Sequence, residues 1–387
     1  MDFATTPEQE KLVDEVVTFA QAELSANAAD NDRHATFDRD AWRRCADFGV
    51  LGWPIPREYG GAGHDALTCV LAYEALGYGC ADNGLVFAVN NHVWACTSYV
   101  LTHGSPEQRA RYLPGLADGS LVGAHALTEP EAGSDMLALS TTARADGDSY
   151  VIDGTKTFIS NAPCADLFVL FARTGGPDVP AQLALSAFLV PADTPGLRIA
   201  REWDKAGLRG TLMGEVAFEG ARLDSAQLLG RPGQGYEIFT STIEWERGFM
   251  FASPVGVMQR LLERSIAHAN SRRQFGRRIG AFDSVSHKIA DMRVRLELAR
   301  LMLYRFGWLR DENRLALLES SMLKLHVSEG LLASALDAVQ LHGARGYLTD
   351  FGVERELRDA FGTTIYGGTS EIHRSVIARL SGVRDDT

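Results

Sequence analysis

The sequence predicts an α+β chain in three parts: an N-terminal α-helical domain over 1–122, a middle β domain over 123–234 and a C-terminal α-helical bundle over 235–387. Three changes of texture carry this reading. Apolar residues recur at helical spacing to about residue 122, short β-branched and aromatic runs between turn residues follow, and longer helical periodicities return from about 235.

Each element has its own signal. "TPEQEKLVDEVVTFAQAEL" opens on Thr-Pro, a good helix start, and sets Leu12, Val16, Phe19 and Leu24 near one face. Further helical runs are expected around 39–49, 65–78, 84–102 and 106–118, with "PIPREYGGAG" as the clear loop. In the middle part "SYVIDGTKTFIS", "ADLFVLFART", "SAFLVP" and "GEVAFEG" read as strands, and the Asp-Gly at 153 and 154 predicts a hairpin turn. In the last part Val285, Ile289, Met292, Leu296, Ala299 and Met302 step by four and three, and Leu318, Met322, Leu325, Leu332 and Val339 are the expected buried stripe of the next helix. In "TTIYGGTSEIHRS", Thr369, Ser370 and Glu371 suit the N-terminus of a closing helix carrying Ile372, Val376, Ile377 and Leu380.

Composition narrows function. A chain of 387 residues with 45% hydrophobic and 23% charged residues has an ordinary globular composition and leaves disorder only to the tail. The formal charge of −12 argues against nucleic acid as a partner. Cys45, Cys69, Cys80, Cys96 and Cys164 show neither disulfide nor metal spacing and read as reduced thiols. The acidic start "MDFATTPEQEKLVDEVV" is unlike a signal peptide and no run approaches a membrane span, so a cytoplasmic protein without a membrane partner is expected.

Four stretches depart from what packing alone requires. "ALTEPEAGSD" gathers Thr128, Gly133 and Ser134 into a turn-prone segment with N–H groups and hydroxyls for a polar ligand, or simply a loop. "GTKTFISNA" sets Phe158 and Ile159 before Ser160 and Asn161, a strand on which a flat cofactor could rest, or a strand edge and turn. "SRRQFGRRIGAFDS" clusters Arg272, Arg273, Arg277 and Arg278, a solvated surface or a pyrophosphate site. "QLHGARGYLTD" and the Gly367-Gly368 pair put glycine at helix ends, where backbone can approach phosphate. No dinucleotide fingerprint, P-loop, nucleophile elbow or metal spacing is present, so the chemistry comes from a bound organic cofactor or not at all.

Taken in order, "ALTEPEAGSD", "FISNA", "RRQFG" and "IYGGTSEI" resemble the acyl-CoA dehydrogenase family of flavoproteins over essentially the whole chain. The resemblance implies a homotetramer with one FAD per subunit, a middle β-barrel and a four-helix bundle. It sets Leu127 and Thr128 at the flavin pyrimidine, with Gly133 in the same cofactor-binding stretch and Ser134 at the substrate and phosphate end. Phe158 and Ser160 then cover the ring near N5. Arg272, Gln274 and Phe275, with Gln340 and Gly343, reach a neighbouring subunit's FAD, and Thr369 and Glu371 contact FAD at the last helix. Ala344 departs from the family's second glycine.

At the position where most of the family has its glutamate base this chain has Gly367. In a branch that includes isovaleryl-CoA dehydrogenase the base lies on the helix opening the bundle, before an arginine, and Glu246 before Arg247 matches it, with Glu244 as rival. General-base help is worth about 10²- to 10⁴-fold, so one of them is needed. By this resemblance Glu246 takes the α-proton, the Gly367 N–H polarises the thioester carbonyl, Arg247 and Tyr366 lie beside the substrate, and the β-hydride passes to flavin N5.

The implied substrate is a short, branched or cyclic acyl group on the pantetheine arm of a carrier protein in secondary metabolism. CoA as carrier in a branched short-chain catabolic enzyme, and a flavin oxidase using oxygen in place of electron-transfer flavoprotein, are the alternatives. Gly367 disfavours a nitroalkane-oxidising relative, and the charge disfavours a DNA-associated one.

Overall fold

The structure, a computed structural model, describes residues 4–383. The first three residues of the acidic start and the tail segment 384–387 lie outside the described residues.

The N-terminal part is helical: α1 (Pro7–Phe19), α2 (Ala28–His34), α3 (Arg39–Phe48), α4 (Ala66–Gly79), α5 (Asn83–His92), α6 (Ser98–His103) and α7 (Pro106–Ala117). Thr6 and Ser105 form capping boxes with Gln9 and Gln108, each followed by proline, so local chemistry fixes both starts. The long run expected over 84–102 is α5 and α6 joined by a π-helical turn at Val93–Thr97.

The β domain is an eight-stranded sheet, in chain order β1 (Gly123–Ala126), β2 (Thr142–Asp146), β3 (Ser149–Ser160), β4 (Leu167–Arg173), β5 (Leu185–Pro191), β6 (Leu197–Glu202), β7 (Met213–Asp224) and β8 (Leu228–Leu229). Its path is β6-β7-β3-β2-β4-β5-β8, with β1 parallel to β4. Strand β4 is buried on both faces. Leu167, Val169 and Phe171 pack towards Tyr99, Leu113, Leu116 and Ile238 of the helices, whereas Phe168, Leu170 and Ala172 face the sheet's own interior with Ile152, Val216 and Phe218. Its uninterrupted apolar run follows from that double burial.

The hairpin expected at Asp153-Gly154 is not there. Strand β3 continues through it, bending at a bulge between Ile152 and Gly154, and the tight turn is one Asp-Gly earlier, where Gly147 at φ +63° links β2 to β3. Pairing with β7 along twelve residues outweighs the local turn signal.

The last part comprises α8 (Gly235–Phe249), α9 (Ala252–Ser271), the short hairpin β9 (Arg273–Gln274) and β10 (Arg277–Arg278), α10 (Asp283–Asp311), α11 (Leu317–His342), α12 (Ala344–Tyr347), α13 (Val353–Thr363) and α14 (Ser370–Leu380). These helices share one core with the N-terminal ones, in which Val70, Tyr73 and Trp94 meet Phe249, Met258, Leu262, Phe306 and Leu323. Helices α4 and α9 approach closely because Gly77 and Gly256 face each other's backbones; a Cβ on Gly256 would lie 2.0 Å from the Glu74 carbonyl oxygen.

The stripe expected on α11 is rotated. Leu318, Met322, Leu325, Leu332 and Val339 are half-buried, while the fully buried face carries Leu323, Val327, Ala335 and Ala338 with Ser320, Ser321, Lys324 and Ser328. Small hydroxyls and a lysine mask that face in a hydrophobicity pattern. Among the described residues no helix is long and apolar enough to cross a membrane, and all five cysteines are free and buried.

Candidate active site

Alternation along β1 sends Ala124 and Ala126 into the β-domain interior and His125 the other way, onto the rings of Tyr99 at 5.1 Å and Phe239 at 6.5 Å. The following loop is anchored by buried Lys156 of β3, whose Nζ donates to the Leu127 carbonyl at 2.9 Å and to Glu129 Oε1 at 2.8 Å. Thr157 N–H donates to the Thr128 carbonyl, and Glu129 also accepts from Ser140 and Thr141. Burial opposes ionisation of Glu129, but the Lys156 ammonium and these hydrogen bonds outweigh it and hold the carboxyl at about 2. Leu127 and Thr128 are thereby fixed half-buried, with Gly133 and Ser134 exposed at the loop tip.

At the end of β3 the chain holds Phe158 at φ +58° beside a second bulge, with the ring 53% exposed and tilted on Trp203 at 5.3 Å. A positive φ at an aromatic residue costs about 1–3 kcal/mol and is kept where surrounding structure imposes it. The exposed ring and the half-buried Thr128 and Ser160 fit the flat, polar-edged isoalloxazine of FAD. Ser160 is tied back through its carbonyl, which accepts from Asn91 of α5 at 3.3 Å.

One helical turn earlier on α5, Phe87 packs on Tyr366 at 4.5 Å. The end of β3 and the loop after α13 therefore converge on one face of α5. In that loop Gly367 sits at φ +65°, its carbonyl accepting from Arg247 Nε and contacting His373 Nε2, both at 3.1 Å, while its N–H donates to no group among the described residues. A Cβ at Gly367 would point at Glu246 Oε1, 3.8 Å away, and at Phe251.

Glu244 and Glu246 lie on α8 two residues apart and face different sides. Glu244 pairs with Arg310 and accepts from the Ala316 N–H at 3.1 Å. Glu246 is buried with Oε2 unpaired, His125 Nδ1 lies 3.9 Å from it, and the Tyr99 hydroxyl, buried without a partner, feels its charge. Burial raises its pKa to about 7 against the lowering influence of Arg247. Burial likewise keeps His125 neutral, down to about 3, helped by the charge of Lys156. Behind Arg247, Lys324 is buried with its ammonium unpaired, and burial together with Arg247 lowers it to about 7. A cavity lined by Phe87, Asn90, Met250, Asp359, Thr363 and Tyr366 adjoins this cluster.

A second group of expected residues forms elsewhere. Arg272, Gln274 and Phe275 are exposed at the β9–β10 hairpin, Phe275 at 91% and φ +49°. Gln340 and Gly343 are exposed at the end of α11, and the two segments adjoin through His268 stacked on His342 at 4.3 Å. Thr369 caps α14 by accepting from Ile372 N–H, with Glu371 exposed in its first turn.

His125, Tyr99, Phe251 and Lys324 escaped the sequence reading. His125 stands two residues before the "LTEP" segment, and strand alternation was the signal for it; the others look like ordinary core positions.

Family models for the N-terminal, middle and C-terminal domains of acyl-CoA dehydrogenase match residues 6–120, 124–221 and 233–381. The chain is 44% identical to an L-prolyl-[peptidyl-carrier protein] dehydrogenase of Pseudomonas fluorescens, over 98% of this chain and 99% of that one. Among solved structures it is similar to the prolyl acyl carrier protein oxidase AnaB, with a TM-score of 0.95 and 45% identity over 98% of this chain and 100% of that one. It is also similar to PigA with FAD and proline, with a TM-score of 0.96 and 36% identity over all of both chains. The chain belongs to the acyl-CoA dehydrogenase family of FAD-dependent flavoenzymes.

Proposed function

We propose that this protein desaturates a prolyl or similar cyclic aminoacyl thioester at the α,β position while the thioester is carried on a peptidyl carrier protein of secondary metabolism. The observation that carries this reading is the buried carboxylate of Glu246 opposed to the bare Gly367. The space a side chain at 367 would fill is open to a ring. The relatives named as prolyl-carrier-protein enzymes support the substrate class.

FAD, when bound, supplies the two-electron acceptor that takes the β-hydrogen as hydride. Glu246 takes the α-proton, and its raised pKa suits a base working near neutrality. Arg247 and His373 hold the Gly367 carbonyl, pinning the loop so that the Gly367 N–H is free to receive the thioester oxygen as charge develops there. Tyr366 and Ser134 complete the substrate side. Leu127, Thr128, Gly133, Phe158, Ser160, Thr369 and Glu371 hold the cofactor, and Arg272, Gln274, Phe275, Gln340 and Gly343 reach that of a neighbouring subunit. Exposed Phe275, and Val294, Leu298 and Leu301 on one face of α10, support a homo-oligomer, a tetramer by family. We place the domain divisions at 122/123 and 234/235 and the protein in the cytoplasm, a compartment that its unbridged cysteines suit.

Likeness to an enzyme named an oxidase supports oxygen as a second acceptor beside electron-transfer flavoprotein. Stopped-flow reoxidation with and without oxygen separates the two. The main reading is tested by anaerobic bleaching of the FAD-loaded protein with prolyl, branched and straight acyl groups on CoA and on carrier protein. Prolyl-carrier protein should bleach the wild type, and Glu246→Gln should slow bleaching by about 10²- to 10⁴-fold. Equal rates in the two proteins would remove Glu246 from the mechanism.

A further inference from the structure

Two oxygens of one carboxylate face different surroundings here. Glu246 Oε1 points to the cleared space at Gly367, whereas Oε2 is buried, unpaired, and 3.9 Å from His125 Nδ1. His125 has no hydrogen-bond partner at Nε2, and its ring is packed between Tyr99, Phe171 and Phe239. That packing limits ring motion, so the edge presented to Glu246 is held in place.

We propose that His125 is the positioning residue of the base, donating an Nδ1–H hydrogen bond to Glu246 Oε2 so that Oε1 is aimed at the α-carbon. The inference rests on the reading of Glu246 as the base. A neutral imidazole carries one N–H, and the tautomer with the proton on Nε2 would turn the Nδ1 lone pair onto a carboxylate oxygen, which electrostatics opposes. The present 3.9 Å is too long for a hydrogen bond, and such contacts tighten when substrate excludes water.

The other charged or titratable groups around the pair are Arg247 on α8, Tyr99 on α6 and Lys156 on β3, with Lys324 on α11 and His373 on α14 grouped about Arg247. Arg247 is engaged by the Gly367 carbonyl, and Lys156 by Glu129 and Leu127. The Tyr99 hydroxyl is also buried without a partner and feels the Glu246 charge, and His125 Nδ1, at 3.9 Å, is the nitrogen that approaches Oε2.

The test compares wild type, His125→Phe, His125→Gln and Glu246→Gln as FAD-loaded proteins. Single-turnover bleaching is followed against pH, and the Glu246 carboxyl is titrated by infrared difference spectroscopy against Glu246→Gln with an unreactive thioester analogue filling the site. Phenylalanine keeps the ring packing and removes the N–H, and glutamine restores a donor. His125→Phe should move both midpoints up by at least one pH unit and slow bleaching at pH 7 about tenfold or more, with His125→Gln returning both towards wild type. Unchanged midpoints in His125→Phe, with Glu246→Gln inactive, would overturn the positioning role and leave the base intact. Full bleaching by Glu246→Gln would overturn both.

Discussion

At the residue scale, the proton of the proposed base Glu246 links chemistry to stability. The folded pKa of Glu246, about 7, lies above the ordinary value of 4.5, so the folded chain binds this proton more tightly than the unfolded chain. Its contribution to stability is therefore full below the ordinary carboxylate range and is lost as pH rises through about 7. Bleaching should run the other way, rising with pH through the same region as the proposed base ionises. Glu246→Gln removes the titration, and relative to wild type it should gain stability on the order of 3 kcal/mol between pH 5 and pH 8. Denaturant unfolding at the two pH values checks this. An equal difference at both would mean that Glu246 is not a buried titrating group.

At the element scale, the loop after β1 is held by a lysine that the sheet buries. Lys156 lies on β3, which pairs with β2 and β7, and its ammonium reaches the Leu127 carbonyl and Glu129. Removing one partner of a buried pair strands the other, at about 3–5 kcal/mol. Lys156→Met should lower the unfolding free energy by that amount and loosen retention of flavin on dialysis. Flavin held as firmly as in wild type would show that the anchor does not matter to the cofactor loop. The same elements show how a strand's partners overrule its dipeptides: Asp-Gly occurs at 146–147 and at 153–154, and the chain turns only at the first.

For the whole molecule, the exposed residues carry the expectation. Val294, Leu298 and Leu301 recur on one face of α10 at 57%, 47% and 48% exposure, an apolar stripe that a lone chain leaves in water. Leu298→Glu should reduce the native mass measured by light scattering, with the helix content unchanged. A mass equal to wild type would place any interface elsewhere.

By itself the sequence determined the order of helix, sheet and helix, the Thr-Pro helix start at Thr6, the adjacency of Glu246 and Arg247, and the bare Gly367, because caps, periodicity and missing side chains are local properties. Helical spacing showed that only one of Glu244 and Glu246 can face a given side. Which one faces Gly367 was decided by packing, since Arg310 and the start of α11 engage Glu244. The rotated face of α11 and the approach of His125 to Glu246 were also beyond local reading, because each depends on which distant element is packed opposite. Only the tertiary structure brings a strand, two helices and a loop around one carboxylate, and burial by those elements is what raises its pKa into the range of a base.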